Sequence, residues 1–436
     1  MLRLALLGLA SPVLAPAASI DGPIRCTSAA SVPDSVWSAI GVSGLLSVKL
    51  LGAAGDGTTD DSDAVQRAIQ CVALTGGVVW FPPGEFFFNK TVNLLEDPAP
   101  LFGNQARPPP TPQWPVAPTH PRSHCRPLLT KPSAQTWAGK NVVLQGSNSA
   151  RMTGVSGMIP PQTIIHGPTS GAAIRIGAED TGAGRLQIHG RVRLENLGLI
   201  GQEVALTVTN AAGIYVRNCG FRAKRNTSSP DNAAVIISNA FEVFFEHSSF
   251  EGPAEWKLGE VRKPSLLLRG TAGGPHPPLR TNWFFRFSTC AWGPGAIRWE
   301  QQANYSNMGA VLMFDTVMLE DTGMAFLELT TAPDVTEFIG WESITINNCK
   351  CRELPLHLLS SKRTLCTDQN ADARPPQWTS NKQPVVSIDC PSTPLGGTSC
   401  VLGNLIINSA QQGVGDHPAV RVIRGQVHGV TLNVQQ

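Results

Sequence analysis

Eight short segments share one pattern: AIRIG (173–177), ALTVT (205–209), AVIIS (234–238), SLLLR (265–269), AIRWE (296–300), MAFLE (324–328), VVSID (385–389) and AVRVI (419–423). Each reads as a strand with alternating positions. Alternation turns Ile174/Ile176, Leu206/Val208, Val235/Ile237 and Ile297/Trp299 to one side and leaves an opposite face. That face is small or polar at Thr207, Thr209 and Ser238. It becomes charged further on, at Arg269, Arg298, Glu300, Glu328, Asp389 and Arg421, with Ser387 among them. Setting Gly295-Ala296 against Gly323-Met324 puts Glu300 and Glu328 in one column of neighbouring rungs, about 4.8 Å apart if the strands stack in parallel. Two carboxyl groups at ~5–5.5 Å suit retaining cleavage of a glycosidic bond, and their mutual repulsion favours leaving a proton on one of them. Arg269 or Arg298 would bind a substrate carboxylate or steady the second Glu, and His357 (in LPLHLLSS) and Asp389 complete the candidate binding set. The same face also admits β-elimination, with Arg269, Arg298 or His357 as base. Register decides the matter, because a slip of one residue turns Glu328 inward and makes it scaffold.

The elements that must position these groups recur along the chain. A second pattern appears as VRLENL (192–197), IYVRNC (214–219), VFFEHS (243–248), LMFDT (312–316), ITINNC (344–349) and LIINS (405–409). Spacings start near 22 residues and grow where insertions intervene, which is the mark of a solenoid. Each copy is a strand, a bend at a polar residue and a second short strand. The bend column holds Asn196, Asn218, His247, Asp315, Asn348 and Asn408. Asn tolerates the left-handed backbone of such a bend, and stacked Asn side chains hydrogen-bond from coil to coil. His247 and Asp315 are therefore assigned to the scaffold. The next column, Cys219, Ser248, Cys290, Thr316, Cys349 and Ser409, is small and faces inward, where Cys acts as a small hydrophobe.

Upstream, LGAAGDGTTDDSDAVQRAIQCVALTGGVVWFPPGEFFF begins at Leu51. Gly55-Asp56-Gly57 makes a tight turn. Asp60 or Asp61 caps a helix over Asp61–Ala73 whose apolar face is Ala64, Val65, Ala68, Ile69 and Val72. Gly76-Gly77 ends it, Val78–Phe81 is a buried strand, and Pro82-Pro83-Gly84 turns the chain. These residues resemble the opening of the pectate-lyase-like superfamily, rhamnogalacturonase/epimerase type, whose hallmark is GAxGDGxTDDxxAIQxAI followed by GGxVxFPPGxY. The resemblance covers about 40 residues closely and the repeats more loosely. It implies an all-β fold: a right-handed parallel β-helix with an N-terminal capping helix, its outer sheet face holding a sugar chain. The familiar signatures of the family are missing, however. There is no NTD, DD and GHG set, and no calcium cluster with a catalytic Arg. Calcium remains an option, since stacked Asp and Glu supply oxygen ligands, but no loop demands it and no other metal or cofactor is implied.

Composition bounds the rest. The 436 residues carry a formal charge of +2, 42 Gly and 35 Pro, a turn-rich balance without the basic excess of a nucleic-acid binder. Residues 1–18 read as a signal peptide: Arg3, an apolar stretch from Leu4 to Leu14, then Ala15-Pro16-Ala17. No later segment is apolar enough to span a membrane. The ten cysteines and sequons at Asn89, Asn226 and Asn304 agree with export to an extracellular location, and Cys390 and Cys400 could close one loop. The expected organisation is an N-terminal extension over 19–50 and a β-helix domain over 51–436, interrupted by a Pro-rich insertion at about 97–139. The expected function is a secreted protein that cleaves a polysaccharide, acidic or neutral, as hydrolase or lyase. The alternative is a non-catalytic polysaccharide-binding or adhesin protein on the same scaffold, as a monomer or homotrimer.

Overall fold

The computed structural model describes residues 26, 33–94, 141–147, 162–177, 188–209, 211–225, 229, 231–238, 240–253, 263–270, 283–292, 297–301, 308–319, 326–331, 339–351, 386–390, 400–408 and 420–433. The signal segment 1–18, the insertion at 97–139, Asn226, Asn304 and His357 lie outside them. Every strand pairing described is parallel. The fold is the expected right-handed parallel β-helix. Its first face is a nine-stranded sheet stacked in strict chain order, from Val92–Leu94 through Ala172–Ile176, Val204–Thr209, Val235–Ser238, Leu266–Gly270, Ile297–Gln301, Leu327–Thr331 and Val386–Asp389 to Val420–Arg424. The other strands form a 17-stranded sheet that folds around the bend. Its second face includes Ile188–Glu195, Ala211–Arg217 and Phe241–Glu246, and its third includes Gly198–Gly201, Gly220–Ala223 and Ser249–Glu251.

The interior is stacked by type. Phe245, Phe287 and Phe314, on successive coils, lie with ring centroids 5.2 and 5.1 Å apart and planes within 5° and 15°. Trp299 is fully buried against Phe285, inward as the alternation requires. Ile174, Ile176, Leu206, Val208, Val235, Ile237 and Ile297 are buried with it. Repeating one side-chain shape at each coil packs the bore and passes register from coil to coil.

The bend column needs one correction. Asn196, Asn218 and His247 have φ of 58°, 51° and 50°, as expected, but the column continues through Thr289 (53°) and Thr316 (59°). Asp315 falls one position earlier, opposite Ser288 and Asn347, and Asn408 falls in that same earlier column opposite Asn347. By backbone register Cys290 stands opposite Val317, and Val317 opposite Cys349, so Thr316 does not share the Cys290 column. The stacked amides are real in both columns. Asn218 Nδ2 donates to Asn196 Oδ1 at 3.3 Å. In the earlier column Asn433 donates to Asn408, Asn408 to Asn347 and Asn347 to Asp315, at 2.8–2.9 Å. Asp315 ends the chain because a carboxylate only accepts, and its other oxygen accepts from Arg286 Nε at 3.0 Å. Cys219 and Cys290 are buried thiols whose Sγ atoms donate to Arg217 O and Ser288 O, and burial pushes the Cys219 thiol up to about 12, which makes it inert.

The first coil would leave open strand edges, and the N-terminal helix closes them. It spans Ser62–Thr75, and its expected apolar face is buried in full. Gln66 does what a missing strand would do: its amide oxygen accepts from Asn93 N at 2.8 Å and its amide nitrogen donates to Asn93 O at 2.9 Å. The two Asp candidates divide the work at the helix start. Asp60 accepts from the Ser62 N–H and hydroxyl, while the buried Asp61 accepts from Ala54 N and Gly55 N and pins the preceding turn. Gly84 packs so close to that turn that a Cβ would lie 2.7 Å from Gly55 O. A Cys26–Cys71 disulfide ties the N-terminal extension, which contributes a helix at Asp34–Ser43, to the cap. Cys390 is also disulfide-bonded, and the Cys400 side chain lies outside the described residues. No helix among the described residues is long and apolar enough to cross a membrane.

Gln66→Ala strips both bonds from the first edge and is expected to cost about 1–3 kcal/mol in urea unfolding, with the mature fold retained. The Asp56 carboxyl is held well below the usual carboxylate range by the backbone N–H groups of Thr59 and Thr58. A depressed folded value means that this stabilisation is present above the ordinary 3.8 and is lost as pH falls below it. Asp56→Asn should therefore lose less stability than the parent when the urea midpoint is followed from neutral pH to below that value.

Candidate functional site

The outward side of the first face divides into two columns. One runs Asn93, Arg175, Thr207, Ile236, Leu267, Arg298, Glu328, Ser387 and Arg421. The other runs Thr209, Ser238, Arg269, Glu300, Thr330 and Asp389, with Arg424 brought beside Asp389 by a register shift. The sequence reading placed five of its candidates, Arg269, Arg298, Glu300, Glu328 and Asp389, on this one surface, and the structure does the same. It missed two features. Ile236 and Leu267 point outward yet are buried with Ala172, Val204 and Ala233 in a second apolar cluster. Thr330, Asp231 and Arg424 join the charged rungs. Asp231 gave no sequence signal, because it lies in a corner and not in a strand.

The register between the two glutamates differs from the expected one. Arg269 pairs across with Glu300, but Glu328 pairs with Arg298, and the partner of Glu300 on the next strand is Thr330. The strand that carries Glu328 is Leu327–Thr331, displaced by two residues from the segment aligned through Gly323-Met324. Glu300 and Glu328 therefore stand diagonally on adjacent rungs. A shift of two preserves the face, so both still point outward, with side chains 24% and 27% exposed. The close pair of a single column is replaced by two acid–base pairs.

Those pairs are unlike each other. Arg298 gives both Nε (3.1 Å) and Nη2 (3.0 Å) to one oxygen, Glu328 Oε2. Arg269 is more deeply buried, with its side chain 9% exposed, and lies between two acids: Nη1 donates to Asp231 Oδ1 and Nη2 lies 3.7 Å from Glu300 Oε2. Further along, Thr330 Oγ1 donates to Asp389 O at 3.0 Å, and Arg424 Nε donates to Asp389 Oδ1 at 2.6 Å. Carboxylates facing an enclosed guanidinium offset the cost of taking its charge out of water. Among the described residues no three His, Cys, Asp or Glu side chains converge to hold a metal ion.

Removing one partner of an enclosed ion pair strands the other. Arg269→Met is therefore expected to cost about 3 kcal/mol, and Arg298→Met, at a wetter pair, about 1 kcal/mol. Urea denaturation of the two variants should preserve that order.

No curated protein matches the sequence. ORF18 of Geobacillus virus E2 is similar at 12% identity and a TM-score of 0.43, over 89% of this chain and 61% of that one. The tailspike gp49 of Acinetobacter baumannii bacteriophage Fri1, a capsular polysaccharide depolymerase, is similar at 9% identity and 0.41, over 91% and 64%. PfbA, a surface adhesin of Streptococcus pneumoniae, is similar at 11% and 0.24, over 90% and 93%. This chain thus spans less than two thirds of the length of the first two, and none of these likenesses carries chemistry across. The family match rests on sequence, and it covers the capping helix and first coils already described. Residues 45–177 match the family described as rhamnogalacturonase A/epimerase, pectate lyase-like.

Proposed function

We propose that the charged stretch of the first face is the working surface of an exported polysaccharide hydrolase. The observation that supports it is the diagonal placement of Glu300 and Glu328, both outward and each against its own arginine. One rung of ~4.8 Å and two residues of ~3.3 Å separate their backbone positions by about 8 Å. Side chains projecting in parallel from those positions would hold their carboxyl groups at a similar separation, within the ~6.5–9.5 Å that leaves room for a water between acid and base in inverting cleavage, where the expected single column favoured the retaining route. In this reading Glu300 gives its proton to the leaving glycosidic oxygen as the bond to the anomeric carbon breaks. Water attacks that carbon from the other side and Glu328 takes its proton. The net transfer from Glu300 to Glu328 is reversed through solvent. Arg298 and Asp389 flank the sugar chain, and His357, outside the described residues, is carried as a further binding candidate. The Cys26–Cys71 bond and an exposed Asn89 sequon support an oxidising, extracellular setting.

A second reading has its own observation: both glutamates are already engaged by arginine, which suits a surface that binds sugar without cutting it. A panel of acidic and neutral glycans separates the two. Hydrolysis gives new reducing ends of inverted anomeric configuration and no unsaturated, ultraviolet-absorbing sugar. Glu300→Gln and Glu328→Gln should each lower kcat by about 10²-fold or more. Undiminished activity in the double variant overturns the site, unsaturated products replace hydrolysis with elimination, and retention on a glycan column without turnover selects binding.

A further inference from the structure

We propose that the strand Gln426–Asn433 pairs with the same strand of a second copy of the chain, joining two solenoids end to end. The bore comes to the surface at this end. In the coil before it, Ile388, Leu405 and Ile407 are fully buried. Their neighbours on the last described coil are Val422, Val430 and Leu432. These are 46%, 47% and 46% exposed. Apolar side chains in one set of columns thus pass from core to surface in a single step. At the first coil a helix meets this problem, and its Gln66 bonds the backbone of Asn93. Among the described residues no helix lies beyond the N-terminal region to do the same for the last coil.

The two strand edges of that coil differ. Val420–Arg424 carries Arg421 and Arg424 and a register shift against its neighbour. Charges and irregularities of this kind keep a sheet edge from recruiting another strand. Gln426–Asn433 reads QVHGVTLN and has no Asp, Glu, Lys, Arg or Pro. From Gly429 to Asn433 it runs in unbroken register against Asn404–Asn408. A regular, uncharged edge with apolar side chains is a template for strand addition. The occupant that fits is the strand itself. A two-fold axis crossing it at right angles reverses its direction and keeps its inward side inward, so the two bores become continuous. Antiparallel partners on one side of a sheet must lie directly opposite, so the centre falls on a residue. Centred on Thr431, the pairing sets Val430 of each copy against Leu432 of the other, burying the exposed pair. No charged side chain within the strand meets its own copy, and a two-fold contact closes on itself without growing into a fibre.

Sedimentation velocity of the full chain over a range of concentrations tests the pairing. The parent is expected to form a dimer and nothing larger. Thr431 is exposed and alternates outward between Val430 and Leu432, so Thr431→Lys leaves the bore as it is. It sets two like charges face to face across the axis and should weaken the dimer about tenfold or more. Thr431→Glu should do the same. An equimolar mixture of the two variants should recover the dimer, because opposite charges then meet. Far-ultraviolet circular dichroism of each variant checks that the coils are retained. A parent that stays monomeric overturns the proposal, and so does a dimer that neither substitution weakens, since it is joined through another surface. An open series of larger species, or a mixture that stays monomeric, overturns the two-fold pairing at Thr431.

Discussion

A parallel coil is incomplete on its own: every strand edge exposes N–H and C=O groups until another element covers them. The whole molecule follows from meeting that demand at each level. Between coils the backbone ladder does it. At the start of the first face the side chain of Gln66 does it, one amide bonding both backbone groups of Asn93. The helix that carries Gln66 can sit there only because Ala64, Val65, Ala68, Ile69 and Val72 bury against the bore. That bore in turn exists only because strand after strand turns the same apolar column inward. Cap and solenoid are one device, and the segment that matches a known family is the segment that builds it.

Register is then transmitted by side chains as well as by backbone. The Phe245–Phe287–Phe314 stack inside and the Asp315–Asn347–Asn408–Asn433 ladder outside both repeat one shape at successive coils. The ladder has a direction. Each amide donates toward the N-terminal side, and a carboxylate receives the last bond with Arg286 balancing its charge. An amide in place of Asp315 would still stack but would lose that charge-assisted partner. The scaffold role expected for Asp315 therefore stands, on a different physical basis from that of a bend residue.

The outer surface inherits its order from this interior. Once the inward column is fixed, alternate residues must face out, and their vertical neighbours are set by the coil register. The charged rungs are a consequence of that geometry: Arg269, Glu300, Arg298 and Glu328 come from segments of the chain about 30 residues apart and meet because the coils are stacked. A corner residue, Asp231, adds a second carboxylate to the Arg269 guanidinium. Such a residue is free to vary without disturbing any column.

The sequence by itself determined the fold class, the cap, the inward column of the first face and the outward side on which the charged candidates lie. These depend on period-two alternation and on local turn chemistry, and both are local properties of the chain. It did not determine which residue stands beside which. Glu300 and Glu328 were placed in one column by aligning Gly295-Ala296 with Gly323-Met324, yet Ile297 pairs with Leu327, two residues further on. A shift of two keeps every side chain on its proper face, so alternation is blind to it. The bend at Thr316 in place of Asp315 was missed for a related reason, since a Thr in a left-handed conformation carries no propensity signal. Only the stacked coils decide such offsets, because hydrogen bonds between distant strands and the packing of the bore select one register among several that the chain allows equally.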